Sequence, residues 1–404
     1  MVNNKKSIKK IIIAAISLIL VVSIAVACAI IFVPVKLDVD IDSIEPVGTT
    51  VRIIEASENN PVSIYKEDSD GEISDEAFKI LSFTDTHLDA NKEKGACTMK
   101  YFIANIQKEK PDLVVIDGDT VTGVINRKRA EMFAEVMEKL GVYWITTLGN
   151  HEGDNALSLS REDFVELYSS YPHCLIESGD KFTSDGEKIW GYGNTQINIL
   201  TKGGKVSQSL FFIDSGNEVG EENAEKYGVE ADDNDFIKES QIQWYKEQVA
   251  ALDSGVKSML FIHIPLCEYK TAFDSAPKKS DGTLDYGKEA ADGTVALFGS
   301  KNEGVCCSEY NSGMFDAILS GGSTQAVVAG HDHVNNFRIL YKGIYLCYNR
   351  NSGYSSYNAV TKGISDELMQ GASIYTISPD GSIEFGDIIN SERFDTSSAK
   401  ELYS

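Results

Sequence analysis

Short apolar runs recur along this chain, and each is followed by residues that can bind a metal ion. The five runs and their polar ends occupy residues 80–87, 113–119, 144–152, 260–263 and 327–333. Apolar runs of this length are typical of buried strands. Five of the six histidines of the chain lie in these segments: His87, His151, His263, His331 and His333. Because ligands gather at the carboxyl ends of strands in open α/β sheets, the pattern predicts a metal site built on a sheet.

The segments between the first three runs have helical periodicity. They predict helices over residues 98–110 and 128–140, and a third helix that opens at Ser160 with a carboxylate in the capping position. After residue 194 short strands dominate, with one further helix over 239–252 and the pair Trp244-Tyr245 on its packed side. Strand–helix alternation followed by a β meander predicts an α/β fold with sheets packed between helices.

Three segments lack a clear period. Residues 36–76 are polar and acidic, and we interpret them as a linker with one edge strand near residues 50–54. Residues 218–239 are predicted to form an acidic, solvated loop, and residues 268–312 a long loop.

The amino terminus has the pattern of a membrane anchor. Four lysines fall within residues 1–10, and residues 11–33 carry no charge and are long enough to cross about 30 Å of hydrocarbon. A signal peptide cleaved before Cys28 is the alternative, but the apolar run continues beyond that point. The lysines predict a cytoplasmic tail over 1–10, a single transmembrane helix over 11–33 in the cell membrane, and an extracytoplasmic remainder. The linker then covers 34–76, the main folded domain 77–392 and a carboxyl-terminal tail 393–404.

Charge and cysteine content exclude several other classes of protein. The formal net charge of −24 argues against binding to a nucleic-acid backbone or an anionic lipid surface. The seven cysteines form no CxxC motif, which excludes a cysteine-rich zinc site and gives no disulfide framework.

The donor atoms in the five segments are suited to a pair of transition-metal ions. The candidate ligands combine carboxylate, amide oxygen and imidazole: Asp85, His87, Asp119, Asn150, His263, His331 and His333. This mixture suits divalent iron, manganese or zinc. Seven ligands exceed the needs of one ion, so two ions about 3.5–4 Å apart are expected, a spacing that serves in-line attack on phosphorus.

The ordered set of motifs resembles the calcineurin-like metallophosphoesterases, in the branch related to purple acid phosphatases. The resemblance runs from about residue 78 to 357 and rests on five motifs: Asp85-x-His87, Gly118-Asp119, Gly149-Asn150-His151-Glu152, His263 and Gly330-His331-Asp332-His333. It implies a four-layer α/β/β/α sandwich of two sheets flanked by helices.

The resemblance also implies a role for each residue. Asp85, His87 and His333 would hold one metal ion, Asn150, His263 and His331 the other, and Asp119 would bridge them. His151 would face the substrate rather than a metal. The chain departs from purple acid phosphatases at Thr122, which stands where they have an iron-binding tyrosine, so no purple colour is expected and the metals remain Fe, Mn or Zn. Thr122 also cannot orient His151 as an aspartate does in protein phosphatases, which leaves Glu152 as a possible carboxylate partner.

The resulting prediction is a membrane-anchored phosphoesterase that hydrolyses a phosphomonoester by attack of metal-bound hydroxide. The alternatives are a phosphodiesterase acting on nucleotide, cell-wall or lipid esters, and an inactive binding module that a metal stabilises. Arg350 is a candidate for clamping the phosphate, with a surface position as the competing interpretation. Asp117 either supports a ligand or caps a strand, and His173, outside the motifs, is interpreted as a hydrogen-bonded core residue.

Overall fold

The computed structural model describes residue 12 and residues 15–23, 39–57 and 60–403. The predicted cytoplasmic tail and most of the predicted anchor at 11–33 lie outside these residues. Residues 15–23 are helical, and within the described ranges no helix is both long enough and apolar enough to span a bilayer.

Fourteen strands are found among the described residues, numbered in chain order. They are β1 (Val51–Ile54), β2 (Val62–Lys66), β3 (Phe78–Phe83), β4 (Leu113–Asp117), β5 (Trp144–Thr147), β6 (Thr195–Thr201), β7 (Lys205–Phe212), β8 (Lys257–Ile262), β9 (Val295–Phe298), β10 (Thr324–Ala329), β11 (Arg338–Tyr341), β12 (Ile344–Tyr348), β13 (Gly371–Ile377) and β14 (Ile383–Ile389). They form a nine-stranded sheet in the order β1-β2-β6-β7-β8-β10-β12-β11-β9 and a five-stranded sheet in the order β14-β13-β3-β4-β5. Both sheets are mixed, and β3, β4 and β5 are parallel, as are β7, β8, β10 and β12. The α/β class is therefore confirmed.

Apart from the helical residues 15–23 and a short 3₁₀ helix at Ile41–Ser43, nine helices accompany the strands within the described ranges. They are α1 (Lys92–Glu109), α2 (Arg127–Leu140), α3 (Arg161–Ser169), α4 (Glu221–Tyr227), α5 (Glu239–Ala251), α6 (Glu268–Ser275), α7 (Met314–Gly321), α8 (Asn390–Arg393) and α9 (Ser397–Glu401). At two of these helices the capping residues predicted from the sequence are confirmed. Ser160 and Asp163 form the capping box of α3, and Gly141 ends α2 in the left-handed conformation. Helix α1 begins earlier than predicted because Asn91 caps it by accepting a hydrogen bond from the amide of Lys94.

The core is divided by the alternation of side chains along the strands. In β8, Met259 and Phe261 join a cluster that includes residues of both sheets, whereas Leu260 and Ile262 face a second cluster. The second cluster contains side chains of α5, α6 and α7, among them Trp244, which is buried as predicted. A strand whose two faces both meet apolar partners reads as a continuous apolar run, which explains the pattern in the sequence.

Four segments are more ordered than the sequence-based interpretation predicts. The segment interpreted as a linker contributes two strands, because β2 pairs with β6 as well as with the edge strand β1. The acidic insertion contains α4, and the long loop contains α6 and the edge strand β9. The carboxyl-terminal segment packs Phe394 and Tyr403 against a small cluster around Tyr101 and Tyr354. Each of these elements is short or lies at an edge, where burial on one side leaves little periodicity to detect.

Candidate metal centre

The predicted ligands follow five strands that end at the same edges of the two sheets. Asp85 and His87 follow β3, Asp119 follows β4 and Asn150 follows β5. From the larger sheet, His263 follows β8, and His331 and His333 follow β10. Parallel strands place their carboxyl ends together, so residues far apart in the chain converge between the two sheets.

The first group of donors consists of Asp85, His87 and His333, which lie close enough together to hold one metal ion. The Nε2 atoms of His87 and His333 are 3.1 Å apart, and His333 Nε2 is 3.3 Å from Asp85 Oδ1. His87 Nε2 is 3.7 Å from the same carboxylate oxygen. All three residues are buried or nearly so.

The second group is built around His263. Its Nε2 atom lies 3.1 Å from Asn150 Oδ1 and 3.2 Å from Asp119 Oδ2. The same amide oxygen of Asn150 is 2.9 Å from His331 Nδ1. The second group therefore brings together the amide and the two imidazoles that were predicted to share an ion.

Asp119 stands between the two groups. Its Oδ2 atom is 3.4 Å from His87 Nε2 on one side and 3.2 Å from His263 Nε2 on the other. Its Oδ1 atom accepts a hydrogen bond of 2.9 Å from the amide of His151, which fixes the carboxylate plane. A carboxylate held in this way offers one oxygen to both groups.

The unpaired atoms of the centre fit a pair of cations. Asp85 Oδ1 is buried and has no hydrogen-bond partner among the described residues, an arrangement that costs free energy unless a cation completes it. His263 Nδ1 contacts the carbonyl of Asp117 at 2.7 Å, and His333 Nδ1 contacts the carbonyl of Tyr357 at 3.2 Å. A proton on each Nδ1 would donate to the carbonyl and leave the Nε2 lone pair facing the centre. The donor set thus suits iron, manganese or zinc.

The backbone around the centre is strained. Asp85, His87, Asp119 and His331 all have positive φ angles, between 44° and 73°. Residues other than glycine adopt this conformation rarely, and such strain is concentrated at binding and active sites. Gly149 is required for a different reason, since a Cβ atom there would lie 2.2 Å from Asp119 Oδ1.

The charges of the centre are coupled. Burial alone would raise the pKa of Asp119, but the imidazoles of His263 and His87 outweigh it and lower that pKa. Burial likewise opposes the charged form of His263, yet the Asp119 carboxylate raises its pKa to about 10. Burial lowers the pKa of His331 to about 3. Asp85 and Asp119 therefore stay ionised and His331 stays neutral, whereas His263 holds a proton that a metal ion must displace when it binds.

His151 lies at the mouth of the centre and has a carboxylate partner. Its side chain is 45% exposed, and its ring centroid is 5.4 Å from that of His87. The Nδ1 atom contacts Asp154 Oδ2 at 2.6 Å, and this contact is the main reason that the pKa of His151 rises to about 9. Asp154 stands three residues after His151 and was not identified from the sequence.

Glu152, the partner considered from the sequence, does not contact the His151 ring. Its buried carboxyl accepts hydrogen bonds from the backbone amides of Gly149, Asp119, Thr120 and Val121, at 2.6–3.3 Å. Burial and the neighbouring Asp119 raise its pKa to about 7. Glu152 therefore joins the segments that follow β4 and β5, which fixes the bridging carboxylate relative to Asn150.

Arg350 does not occupy the predicted position. It is 3% exposed, its Nε donates to Asp387 Oδ1 at 2.7 Å, and one Nη donates to the carbonyl of Met369. The guanidinium is thus enclosed within the fold and paired with a carboxylate of β14. This arrangement supports neither the phosphate clamp nor the surface position.

The pair Arg350–Asp387 predicts a loss of stability on mutation. Arg350→Met should lower the free energy of unfolding by about 3 kcal/mol, because it leaves a carboxylate that is only 17% exposed with no cation but Arg338, 3.8 Å away. Denaturant unfolding measures this change. The double variant Arg350→Met/Asp387→Asn should recover most of the loss, and equal stability of the single variant and the wild type would contradict the assignment.

Two further residues support the ligands and were missed in the sequence. Asp332, between the ligands His331 and His333, accepts a hydrogen bond from the hydroxyl of Tyr348. The Tyr357 ring stacks on His333 with centroids 4.2 Å apart. The run of tyrosines after the last motif was the available signal, but their spacing does not show which one faces the centre.

The remaining sequence-based interpretations have clear outcomes. The backbone carbonyl of Asp117 contacts the His263 ring, so Asp117 supports a metal ligand through its backbone. The Asp117 carboxylate instead accepts hydrogen bonds from the side chains of Thr147 and Asn349. His173 pairs with Glu138 at 2.6 Å but its side chain is 32% exposed, so it is hydrogen-bonded without being in the core.

Comparisons with known proteins identify the family of the chain. Residues 78–335 match the model of the calcineurin-like phosphoesterase family. The chain is 28% identical over 315 residues to the probable inactive purple acid phosphatase 28 of Arabidopsis thaliana, covering 70% of this chain and 72% of that protein. It is 26% identical to the probable inactive purple acid phosphatase 14 of the same plant, covering 71% and 73%. Among solved structures, a dimetal phosphatase from Danio rerio is similar with a TM-score of 0.45 and 16% identity, covering 77% of this chain and 98% of that one.

The family match covers well over half of the chain and contains all of the predicted metal ligands. The chain belongs to the calcineurin-like metallophosphoesterases, and its distant homologues include plant proteins named as probable inactive purple acid phosphatases.

Proposed function

We propose that the protein is an active phosphoesterase that uses two metal ions to hydrolyse a phosphomonoester. The observation that carries the proposal is that Asp119 Oδ2 lies within 3.4 Å of a histidine of each donor group, beside a half-exposed histidine that no ligand role requires. Asp85, His87 and His333 would hold one ion, Asn150, His263 and His331 the other, and Asp119 both. Two such ions supply a more acidic bound water and neutralise the charge that develops on phosphorus. The four-layer order α/β/β/α is also part of this proposal. It is supported by one apolar cluster that includes residues of both sheets and by a second that packs helices α5, α6 and α7 against the larger sheet.

The residues of the chain contribute positioning and proton transfer. The amide of His151 and the backbone contacts of Glu152 fix the carboxylate of Asp119 and the loop that carries Asn150. The His151 side chain reaches solvent at the mouth, where Asp154 holds one ring nitrogen and leaves Nε2 free to donate a proton to the departing oxygen.

The inactive binding module is the competing function, and the names of the plant relatives favour it. Against it stands the His151–Asp154 pair, which a purely structural metal site would not require. Metal analysis of the purified protein, followed by assays with p-nitrophenyl phosphate and bis-p-nitrophenyl phosphate, separates the possibilities. Two equivalents of metal with turnover of the monoester support the proposal. Preference for the diester indicates a phosphodiesterase, and full metal content without turnover of either ester indicates the binding module.

Asp154 provides a more specific prediction. Asp154→Asn should lower kcat by about 10-fold for an alkyl phosphate, and less for p-nitrophenyl phosphate, whose departing oxygen needs little protonation. Metal content should not change, because Asp154 contacts His151 and none of the ligands. Asp366→Asn, at an exposed position, is the control. Equal losses for both substrates would show that Asp154 is only structural.

The location of the protein is also part of the proposal. The charge pattern of residues 1–33 supports an anchor with the catalytic domain outside the cell. The phosphoester is then encountered outside the cell, and the net charge of −24 disfavours a nucleic-acid backbone as partner. Protease protection of a carboxyl-terminal tag in sealed cells would contradict this location.

A further inference from the structure

A large cavity lies at the carboxyl end of β7. It encloses about 520 Å³, within the range of small-molecule sites, and Asp214, two residues beyond β7, lines it. Strand β7 is the parallel neighbour of β8, which leads to His263. The amide of Ile264 donates to Ser215 Oγ at 2.9 Å, so the two segments leave the sheet together. The cavity and the metal centre therefore share one edge of the sheet.

One arginine, with a side chain that is 13% exposed, connects the cavity to the loop of the metal centre. Arg161 lines the cavity, and its Nη1 donates to the carbonyls of Gly149 and Glu152 at 2.6 and 3.1 Å. Its Nη2 pairs with Asp214. The guanidinium thus contacts Asp214 in the wall of the cavity. It also contacts Gly149 and Glu152, the two ends of the segment that holds Asn150 and His151.

Three aromatic rings line the cavity, and two of them have polar groups that make no hydrogen bond. Trp190, Tyr192 and Tyr227 all line it, and Tyr192 is 38% exposed. Within the described residues, the indole N–H of Trp190 and the hydroxyl of Tyr192 make no hydrogen bond. Rings that present an apolar face and a free polar end suit a planar ligand with its own hydrogen-bonding groups.

The segment that carries these rings is held rigidly. The amide of Tyr192 donates to Asp214 Oδ2 at 3.0 Å, and Gly191 has a φ of 78°. A Cβ atom at Gly191 would lie 2.8 Å from the Asp214 carboxylate. The backbone at Gly191 therefore approaches Asp214 more closely than any other residue type would allow. The segment that carries Trp190 and Tyr192 is thus already ordered before a ligand binds, which lowers the entropic cost of binding.

One cation of the cavity is available to a ligand. Lys226 lies with its Nζ 4.6 Å from the centre of the Tyr227 ring and 2.8 Å from the Tyr227 hydroxyl, and forms no ion pair among the described residues. The other lysines differ, since Lys188 pairs with Asp180 and Lys238 with Asp235. Glu187 and Glu239 also line the cavity and form no ion pair among the described residues, so its charges do not favour an anionic ligand over a cationic one.

We propose that this cavity binds the leaving group of the phosphoester and that the leaving group carries a planar aromatic ring. The inference rests on the proposed phosphoesterase activity. Two kinds of substrate share this chemistry, namely aryl phosphates and nucleoside phosphates, and the volume of the cavity accommodates either ring.

The test uses Tyr192→Ala in the full-length, metal-loaded protein. Its control is Phe182→Ala, which removes an aromatic side chain that is 57% exposed and lines a different cavity. The ratio kcat/KM is measured for p-nitrophenyl phosphate, adenosine monophosphate and glycerol 3-phosphate. Tyr192→Ala should lower this ratio about 5- to 100-fold for the better of the two aromatic substrates and leave glycerol 3-phosphate unchanged. The substrate whose kcat/KM falls more in Tyr192→Ala shows whether the cavity binds the ring of an aryl phosphate or of a nucleoside phosphate.

Binding of adenosine and of p-nitrophenol, followed by calorimetry, separates this inference from the proposed function. Either compound should bind to the wild type and to Phe182→Ala, and bind at least about 5-fold more weakly to Tyr192→Ala. Such binding without turnover of any ester would support the cavity as a site for an aromatic ring and would refute the phosphoesterase activity. Turnover of all three esters with equal values in Tyr192→Ala and the wild type would refute the cavity and leave the activity intact.

Discussion

His151→Ala should retain both metal ions and lose about 10²–10⁴-fold in turnover of an alkyl phosphomonoester. The ring lies beside the centre without being needed to hold a cation, because its Nδ1 atom is engaged by Asp154 and its side chain is 45% exposed. What the variant loses is the donor that protonates the departing oxygen. Elemental analysis gives the metal content, and steady-state assays give the turnover.

The choice of substrate makes this experiment specific. A leaving group that departs readily as an anion needs no proton, so the loss in His151→Ala should be smaller with p-nitrophenyl phosphate than with an alkyl phosphate. His173→Ala is the matched control, since it removes a histidine that also pairs with a carboxylate but lies outside the motifs. Unchanged turnover in His151→Ala would exclude this residue from the reaction. A loss of metal would instead assign it a structural role.

The same histidine shows where reasoning from the sequence stops. Its position after an apolar run and beside Asn150 is sufficient to place it at the centre, because strand ends and motif order determine which residues converge. Its carboxylate partner could not be identified in this way. Glu152 and Asp154 both follow within three residues, and only the turn decides that Glu152 points inward to four backbone amides and Asp154 toward the ring.

Arg350 shows the complementary limit. An arginine after the last motif is compatible with phosphate binding, with a surface position or with a buried ion pair, and the sequence near it does not distinguish them. The deciding residue is Asp387 on β14, which reaches Arg350 only because β13 brings that hairpin against β3. Contacts that depend on such long-range pairing leave no local signal. The ligands differ from it because each lies directly at the end of its own strand.

Asp119→Asn should have the largest effect on the metals themselves, by weakening the binding of both ions at once. The Oδ2 atom lies 3.4 Å from His87 Nε2 and 3.2 Å from His263 Nε2, so it is the oxygen that both donor groups share. An amide in its place has no negative charge and only one oxygen, and that oxygen cannot serve two cations and also accept from the amide of His151. Turnover should fall below detection along with the metal content.

Comparison with a ligand of a single group tests the bridge directly. His333→Ala should reduce the metal content from about two equivalents to about one, because His333 contacts only the group with Asp85 and His87. The metal content of Asp119→Asn should approach zero. Asp366→Asn changes an exposed aspartate outside the centre and should keep both ions. The increase in Tm on adding Mn²⁺ or Zn²⁺ should follow the same order, since a ligand stabilises only the fold that binds it. Normal metal content in Asp119→Asn would refute the bridge, and with it the shared centre on which the proposed hydrolysis depends.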